Sequence, residues 1–462
     1  MTHLDYLENL GINAIELMPV NEFEGNDSWG YNPSFHGALD KYYGTQNHFK
    51  SFVDACHQRG IAVIIDVVYN HAFSQSPLAQ MYWDSANFKP SSDNPWLNPD
   101  AKHPFNVGYD FNHESDYTKT YVKQTLKYWI DEFKVDGFRF DLSKGFTQTN
   151  NPDNVGAWGN FDASRVAILE DYADYIWNNV SNDAYLILEH LGDNSEETVL
   201  ANYGFMLWGN LNHNFNQNTM GFASNADVSW LSYTERNWNN PHVVGYMESH
   251  DEERLMVRNL NNGNTNAEYD TKDFQTALDR IEAATAIFYS VPGPKMLWQF
   301  GELGYDISIF QCENGTIPTP YGNDSCRTGN KPDGWNYLSN TNRTAIYDTW
   351  ATLIDFKKNL PIFKTENFTI ESQSTDGLKR IYLTDDNASG SALEHVVILG
   401  NFGVTTQNII PSFPETGSWF NMLTNNEINV TDTSAPISLG PGEFLMYSNE
   451  STLSTNTVNA EH

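Results

Sequence analysis

Four short apolar runs of the chain end in or carry acids: Asp66 within Ala62 to Val68, Asp141 after Gly137-Phe138-Arg139-Phe140, Glu189 after Tyr185 to Leu188, and Asp251 in Glu248-Ser249-His250-Asp251. A single acid at a strand end commonly caps the helix that follows. Several together, with Arg139, His71 and His250 at matching depth, point instead to one shared site. Two carboxyl groups about 5 to 5.5 Å apart across a glycosidic bond can serve as nucleophile and acid/base, with a covalent glycosyl intermediate and retention of configuration. Arg139 lies two residues before Asp141 on the same side of a strand, placed to keep that nucleophile ionised. Glu189 must hold a proton, which neighbouring carboxylates favour. Asp251 is then left to bind sugar hydroxyls, and the uncharged donors His71 and His250 suit the same task.

The elements that must position these residues alternate. Ala14 to Met18, Ala62 to Val68, Gly137 to Phe140, Tyr185 to Leu188, Phe205 to Trp208, Val243 to Met247 and Lys295 to Trp298 read as strands. Asn47 to Arg59, Tyr117 to Phe133, Ala163 to Asn179 and Phe274 to Tyr289 carry apolar residues at helical spacing. The pattern predicts an α/β fold of parallel strands joined by crossover helices, and no Gly-rich phosphate turn follows any strand, so a (β/α)₈ barrel suits it better than an open sheet. Residues 1–360 form that barrel.

Two stretches interrupt the alternation. Residues 72–115, dense in Pro, Asn and Asp, read as a loop subdomain inserted after the third barrel strand, and residues 299–342 as a second excursion. Cys312 and Cys326 flank the middle of the latter, which favours one disulfide and leaves Cys56 as a buried thiol in a helical pattern. From 361 to 448 short alternating strands with Gly, Asn and Ser turns predict an antiparallel β-sandwich, and 449–462 a polar tail. Trp419 and Phe420 there are expected to pack rather than bind a second sugar.

With 59 acidic and 26 basic residues, a net charge of −33 repels nucleic acid and anionic lipid, and excludes both as partners. No apolar run approaches the roughly 18 residues of a membrane span. The chain opens without the basic start or apolar region typical of a leader, as a precursor's removed leader would leave it; its cysteines suit an oxidising setting, and a secreted or periplasmic location is expected.

The motifs Asp66-Val67-Val68-Tyr69-Asn70-His71, Gly137-Phe138-Arg139-Phe140-Asp141, Glu189 after its apolar strand, and Ser249-His250-Asp251 resemble, in order, the four signature regions of the α-amylase family, glycoside hydrolase family 13. Supporting matches are Gly11 to Val20, Trp29-Gly30-Tyr31 and Gly293 to Glu302. The resemblance implies an α-amylase that cleaves internal α-1,4 bonds of starch-like or glycogen-like glucans. Asp141 would be nucleophile, Glu189 acid/base and Asp251 transition-state stabiliser, with Tyr31, His71, Arg139, Lys144 and His250 around the sugar. It also implies a structural Ca²⁺ held through Asn70 and Asp110, whose hard oxygens suit that ion; no cofactor is needed for the chemistry.

The chain departs from the family at Lys144-Gly145, where many α-amylases have Lys-His, and before Leu4 to Leu10, where the family has a first barrel strand. A missing strand leaves an edge that invites self-association. Other readings of the same residues are a branching transglycosylase or a maltodextrin or cyclodextrin hydrolase, and, in another class, an inactive glucan-binding protein.

Overall fold

The computed structural model describes residues 2–388 and 393–452, so the end of the polar tail, 453–462, lies outside the described residues. Two compact units are formed, residues 1–208 with 236–242, and residues 209–235 with 243–462.

In the first unit, Leu4–Leu10 is a helix stopped by Gly11 at φ 92, whose N–H returns to the carbonyls of Leu7 and Glu8. That turn feeds Ala14–Leu17, which pairs in parallel with Ala62–Val67, which pairs in turn with Gly137–Phe140, and that with Tyr185–Leu188. Met206–Asn210 follows beside Tyr185–Leu188. Each step between strands is covered by a helix: Gln46–His57, Asp116–Phe133, Ala163–Asn179 and Asn194–Tyr203. Their ends are set by local chemistry: Thr45, Asp162 and Asp193 accept from first-turn N–H groups. Phe138, Phe140, Leu126, Trp129 and Leu169 are buried, and this apolar burial holds sheet and helices together. Among the described residues Ala14–Leu17 has a strand partner on one side, and all four of its residues are half-buried, whereas Gly137–Phe140 are fully buried.

In the second unit Val243–Tyr246 and Lys295–Met296 form a parallel pair, with helices Leu255–Asn262 and Phe274–Ser290 between them in sequence. The seven expected parallel strands are thus all present, in chain order within one sheet. Beyond helix Thr341–Asn359 come antiparallel strands from Asn367–Glu371 to Phe444–Ser448, in a six-stranded sheet and a two-stranded ribbon. Trp419 is fully buried there among Val397, Leu399, Phe413 and Tyr447, so it packs inside this layer. Buried Arg280, on helix Phe274–Ser290, donates to the carbonyls of Asn218, Thr219, Phe402 and Gly403. Lys379 likewise donates to Ala226 and Ser372 carbonyls. Cys312 and Cys326 are bonded, and Cys56 is buried and free. No helix among the described residues is long and apolar enough to cross a membrane.

Candidate active site

Parallel register places Arg139 beside Asp66 on one neighbouring strand and Ile187 on the other. The ladder runs on past the strand ends: Asp141 N–H donates to Val67 O and Glu189 N–H to Phe140 O, both at 3.0 Å. The backbone thereby delivers Asp141 and Glu189 to the same edge of the sheet. Arg139, with no exposed surface, is shared among three carboxylates: Nη1 donates to Asp66 Oδ2 at 2.6 Å and to Asp141 Oδ1 at 3.0 Å, and Nη2 lies 3.0 Å from Glu189 Oε2.

One guanidinium facing three acids leaves net negative charge in a dry place. Burial therefore pushes the Asp141 carboxyl well above the ordinary carboxylate range, the charge of Glu189 adds to it, and Arg139 pulls the other way without prevailing. Arg139 thus pulls in the expected direction, and the expectation that it keeps Asp141 low is corrected by burial, which outweighs it. Burial likewise takes Asp66 up to about 6 against the pull of Arg139.

The walls of the site come from aromatics. The Arg139 guanidinium lies 4.1 Å from the Trp208 ring centroid and 5.9 Å from that of Tyr31. Tyr31 donates its hydroxyl to Asp66 Oδ2 at 2.7 Å. His71 is 1% exposed, and burial lowers it to about 4, so it is neutral; its Nε2 donates to Tyr31 O at 2.8 Å and its Nδ1 accepts from Asn70 at 3.1 Å. What the structure shows for His71 is therefore the anchoring of Tyr31, since both ring nitrogens expected to face sugar are committed to protein. Lys144 donates to Leu191 O at 2.9 Å and stands 4.2 Å from the Trp158 ring centroid. Glu189 accepts from Leu142 N–H, and the next residue, His190, is locked between Ser143 and Glu196.

Gly145 explains its own departure from the family pattern. A Cβ there would stand 1.8 Å from Asn70 Oδ1 and 2.9 Å from His103 Nε2. Asn70 Oδ1 and Asp110 Oδ1 are buried without hydrogen-bond partners, and His103 Nε2 lies 3.4 Å from the latter oxygen. Two such orphaned oxygens fit a hard cation.

In the second unit, Asp251 is part-exposed, with Oδ2 3.3 Å from His250 Nε2 and Oδ1 taken by Arg327. His250 packs edge-on to Trp298 with centroids 6.0 Å apart. Glu248 points away, accepting from Arg254 at 3.0 Å and Leu255 N–H at 2.7 Å.

Sequence reading missed Trp208, Glu16, His103 and Arg327. Burial pushes the Glu16 carboxyl up to about 8, against the opposing charge of Arg139. For Glu16 a signal existed: it stands between Ile15 and Leu17 in a short apolar strand, where a carboxyl is out of place.

The model of the α-amylase catalytic domain matches residues 1–107 and 102–316. A malto-oligosyltrehalose trehalohydrolase of Saccharolobus solfataricus is 33% identical over 174 residues, 37% of this chain and 27% of that protein. A 1,4-alpha-glucan branching enzyme of Nitrosomonas europaea is 31% identical over 156 residues, 34% of this chain and 20% of that protein. The matched stretches thus span about a quarter of these relatives' length. Among solved structures, an Anoxybacillus α-amylase superposes with a TM-score of 0.71 at 18% identity, covering 98% of this chain and 89% of that one. A maltotriose-complexed pullulanase from Anoxybacillus sp. LM18-11 gives 0.71 at 18% identity, covering 96% and 63%. The chain belongs to the α-amylase family, glycoside hydrolase family 13.

Proposed function

We propose that the chain is a retaining α-amylase that hydrolyses internal α-1,4 bonds of starch-like or glycogen-like glucans. The observation that carries this reading is the single buried guanidinium of Arg139 holding Asp141 and Glu189 at one strand edge. Ionised Asp141 attacks the anomeric carbon while Glu189, as general acid, protonates the departing glycosidic oxygen. A covalent glycosyl ester results. Glu189, now ionised, takes a proton from water, the water attacks the same carbon, and Asp141 leaves with the configuration retained. Tyr31 offers a ring to the sugar face, Lys144 the leaving-group side, and Asp251 with His250 the sugar hydroxyls.

A second reading is favoured by the names of the relatives, which include a branching enzyme: another sugar in place of water accepts the glycosyl unit. Incubation with amylose separates the two. Hydrolysis raises reducing ends and releases α-anomeric oligosaccharides, and branching raises α-1,6 branch points with little change in reducing ends. No reaction of either kind would sink both and favour a glucan-binding protein.

In this reading Asn70 and Asp110 would hold a structural Ca²⁺, which when bound ties the inserted loop to the strand end that carries His71. Chelation is expected to lower the melting temperature, with calcium restoring it; an unchanged melting temperature would remove the ion. The Cys312–Cys326 bond supports a secreted or periplasmic setting.

A further inference from the structure

The excursion after Lys295–Met296 does more than cover the second unit. Glu253, two residues past Asp251 and buried, accepts from Ile309 N–H at 3.1 Å and from the hydroxyls of Ser308 and Tyr321. The disulfide closes the loop between Cys312 and Cys326, and Asp324–Cys326 forms one 3-10 turn with Asn323 as its cap. Lys331 then donates to the carbonyls of Cys326, Gly329 and Arg327, at 2.9, 2.7 and 3.2 Å. Residue 327 is thus tied on several sides: by the bonded Cys326 before it, by Lys331 on its own carbonyl, and by Glu253 on the loop's other limb. From this frame Arg327 reaches Asp251, donating to Oδ1 and, at 3.3 Å, to the backbone carbonyl.

We infer that Arg327 is a positioning residue for Asp251, and that the Cys312–Cys326 disulfide is the clamp that delivers it. This rests on the reading of Asp251 as the group that binds sugar hydroxyls in the transition state. A carboxylate half open to solvent can rotate about its side-chain bonds. One oxygen fixed by a guanidinium leaves the other, on the His250 side, as the acceptor for substrate, and lowers the orientational cost at the moment of reaction. Because Asp251 acts on the distorted ring, losing its alignment is felt in kcat more than in KM.

The test is a double-mutant cycle on the full chain, using an aryl α-maltooligoside whose good leaving group keeps weak variants measurable. Arg327→Ala is expected to lower kcat by about tenfold or more with KM changed by less than about twofold, and Arg327→Lys to recover part of the loss. In an Asp251→Asn background the same Arg327→Ala change is expected to cost less than about twofold, since its target is gone. The double variant Cys312→Ser with Cys326→Ser, or wild type after thiol reduction, should show the kcat loss in milder form. Melting temperatures separate a folding defect from this pattern, and Arg327→Lys carries the test if the alanine variant does not fold. A full additional loss in the Asp251→Asn background, or a loss confined to KM, would show that Arg327 contacts sugar itself and overturn the inference. Full activity of Asp251→Asn alone would instead remove the reading of Asp251 on which it rests.

Discussion

The N–H of Leu142 donates to Glu189 Oε2 at 2.8 Å, so the residue that follows Asp141 carries part of the hydrogen bonding of Glu189. Leu142 reaches that carboxylate from a left-handed backbone, φ 43 and ψ 44, a conformation unfavourable for a leucine and held by the surrounding structure. The spacing of the two acids is thus built into the turn after the strand as well as into the Arg139 ion pairs.

The two carboxylates should be separable by leaving group. Asp141→Asn is expected to be silent on every substrate, a loss of at least about 10³-fold, because no covalent ester can form. Glu189→Gln should lose most activity on starch yet keep its first step on an aryl glycoside with a good leaving group, seen as a burst of the phenol. Equal losses of both variants on both substrates would contradict the assigned roles.

Asp66 raises Asp141 by its charge, so removing that charge should let Asp141 ionise at lower pH. In Asp66→Asn the acid limb of the kcat/KM profile is expected to move down by about half a pH unit or more. An unmoved or raised limb would mean that the hydrogen bonds of Asp66 to Tyr31 and Arg139 outweigh its charge.

His113 is buried, stacked on Phe146, with Nε2 at 2.9 Å from Tyr69 O and Nδ1 at 2.8 Å from the Tyr172 hydroxyl. Burial lowers it to about 3 from 6.5, so the unfolded chain takes up a proton there that the folded chain refuses. The neutral-state stability is present above the unfolded value and drains away as pH falls from about 6.5 towards 3. His113→Gln, which cannot take up that proton, should be less stable than wild type at pH 7 and close the gap steadily down to pH 4, as read from urea midpoints. A gap constant with pH would refute the assignment.

Gly145→Ala forces a methyl against the Asn70 side chain and His103. The expected cost is about 1–3 kcal/mol, read as a lowered melting temperature, because neither neighbour is a free-moving chain end. A neutral substitution would show that this corner of the inserted loop yields easily.

Much of the barrel was legible in the chain because parallel strands buried on both faces read as short apolar runs, and Gly137–Phe140, Tyr185–Leu188 and helix Ala163–Asn179 fall where the pattern puts them. Asp141 and Glu189 were legible because each directly follows such a run. What sequence cannot carry is the sum of an environment. Asp141 has a cation two residues away, which suggests a low proton affinity, yet the burial and the second carboxylate that reverse it arrive from another strand. His71 looks like a sugar donor until Tyr31 and Asn70 are seen to occupy both its nitrogens. Arg327 is 76 residues from Asp251, in a loop with no periodicity to read.

The hold of Arg280 on carbonyls at both Asn218–Thr219 and Phe402–Gly403 makes the C-terminal strands part of the same packed body as the last barrel strands. A chimera made by swapping this layer would strand a buried guanidinium unless the incoming strands offered carbonyls at the places of Phe402 and Gly403.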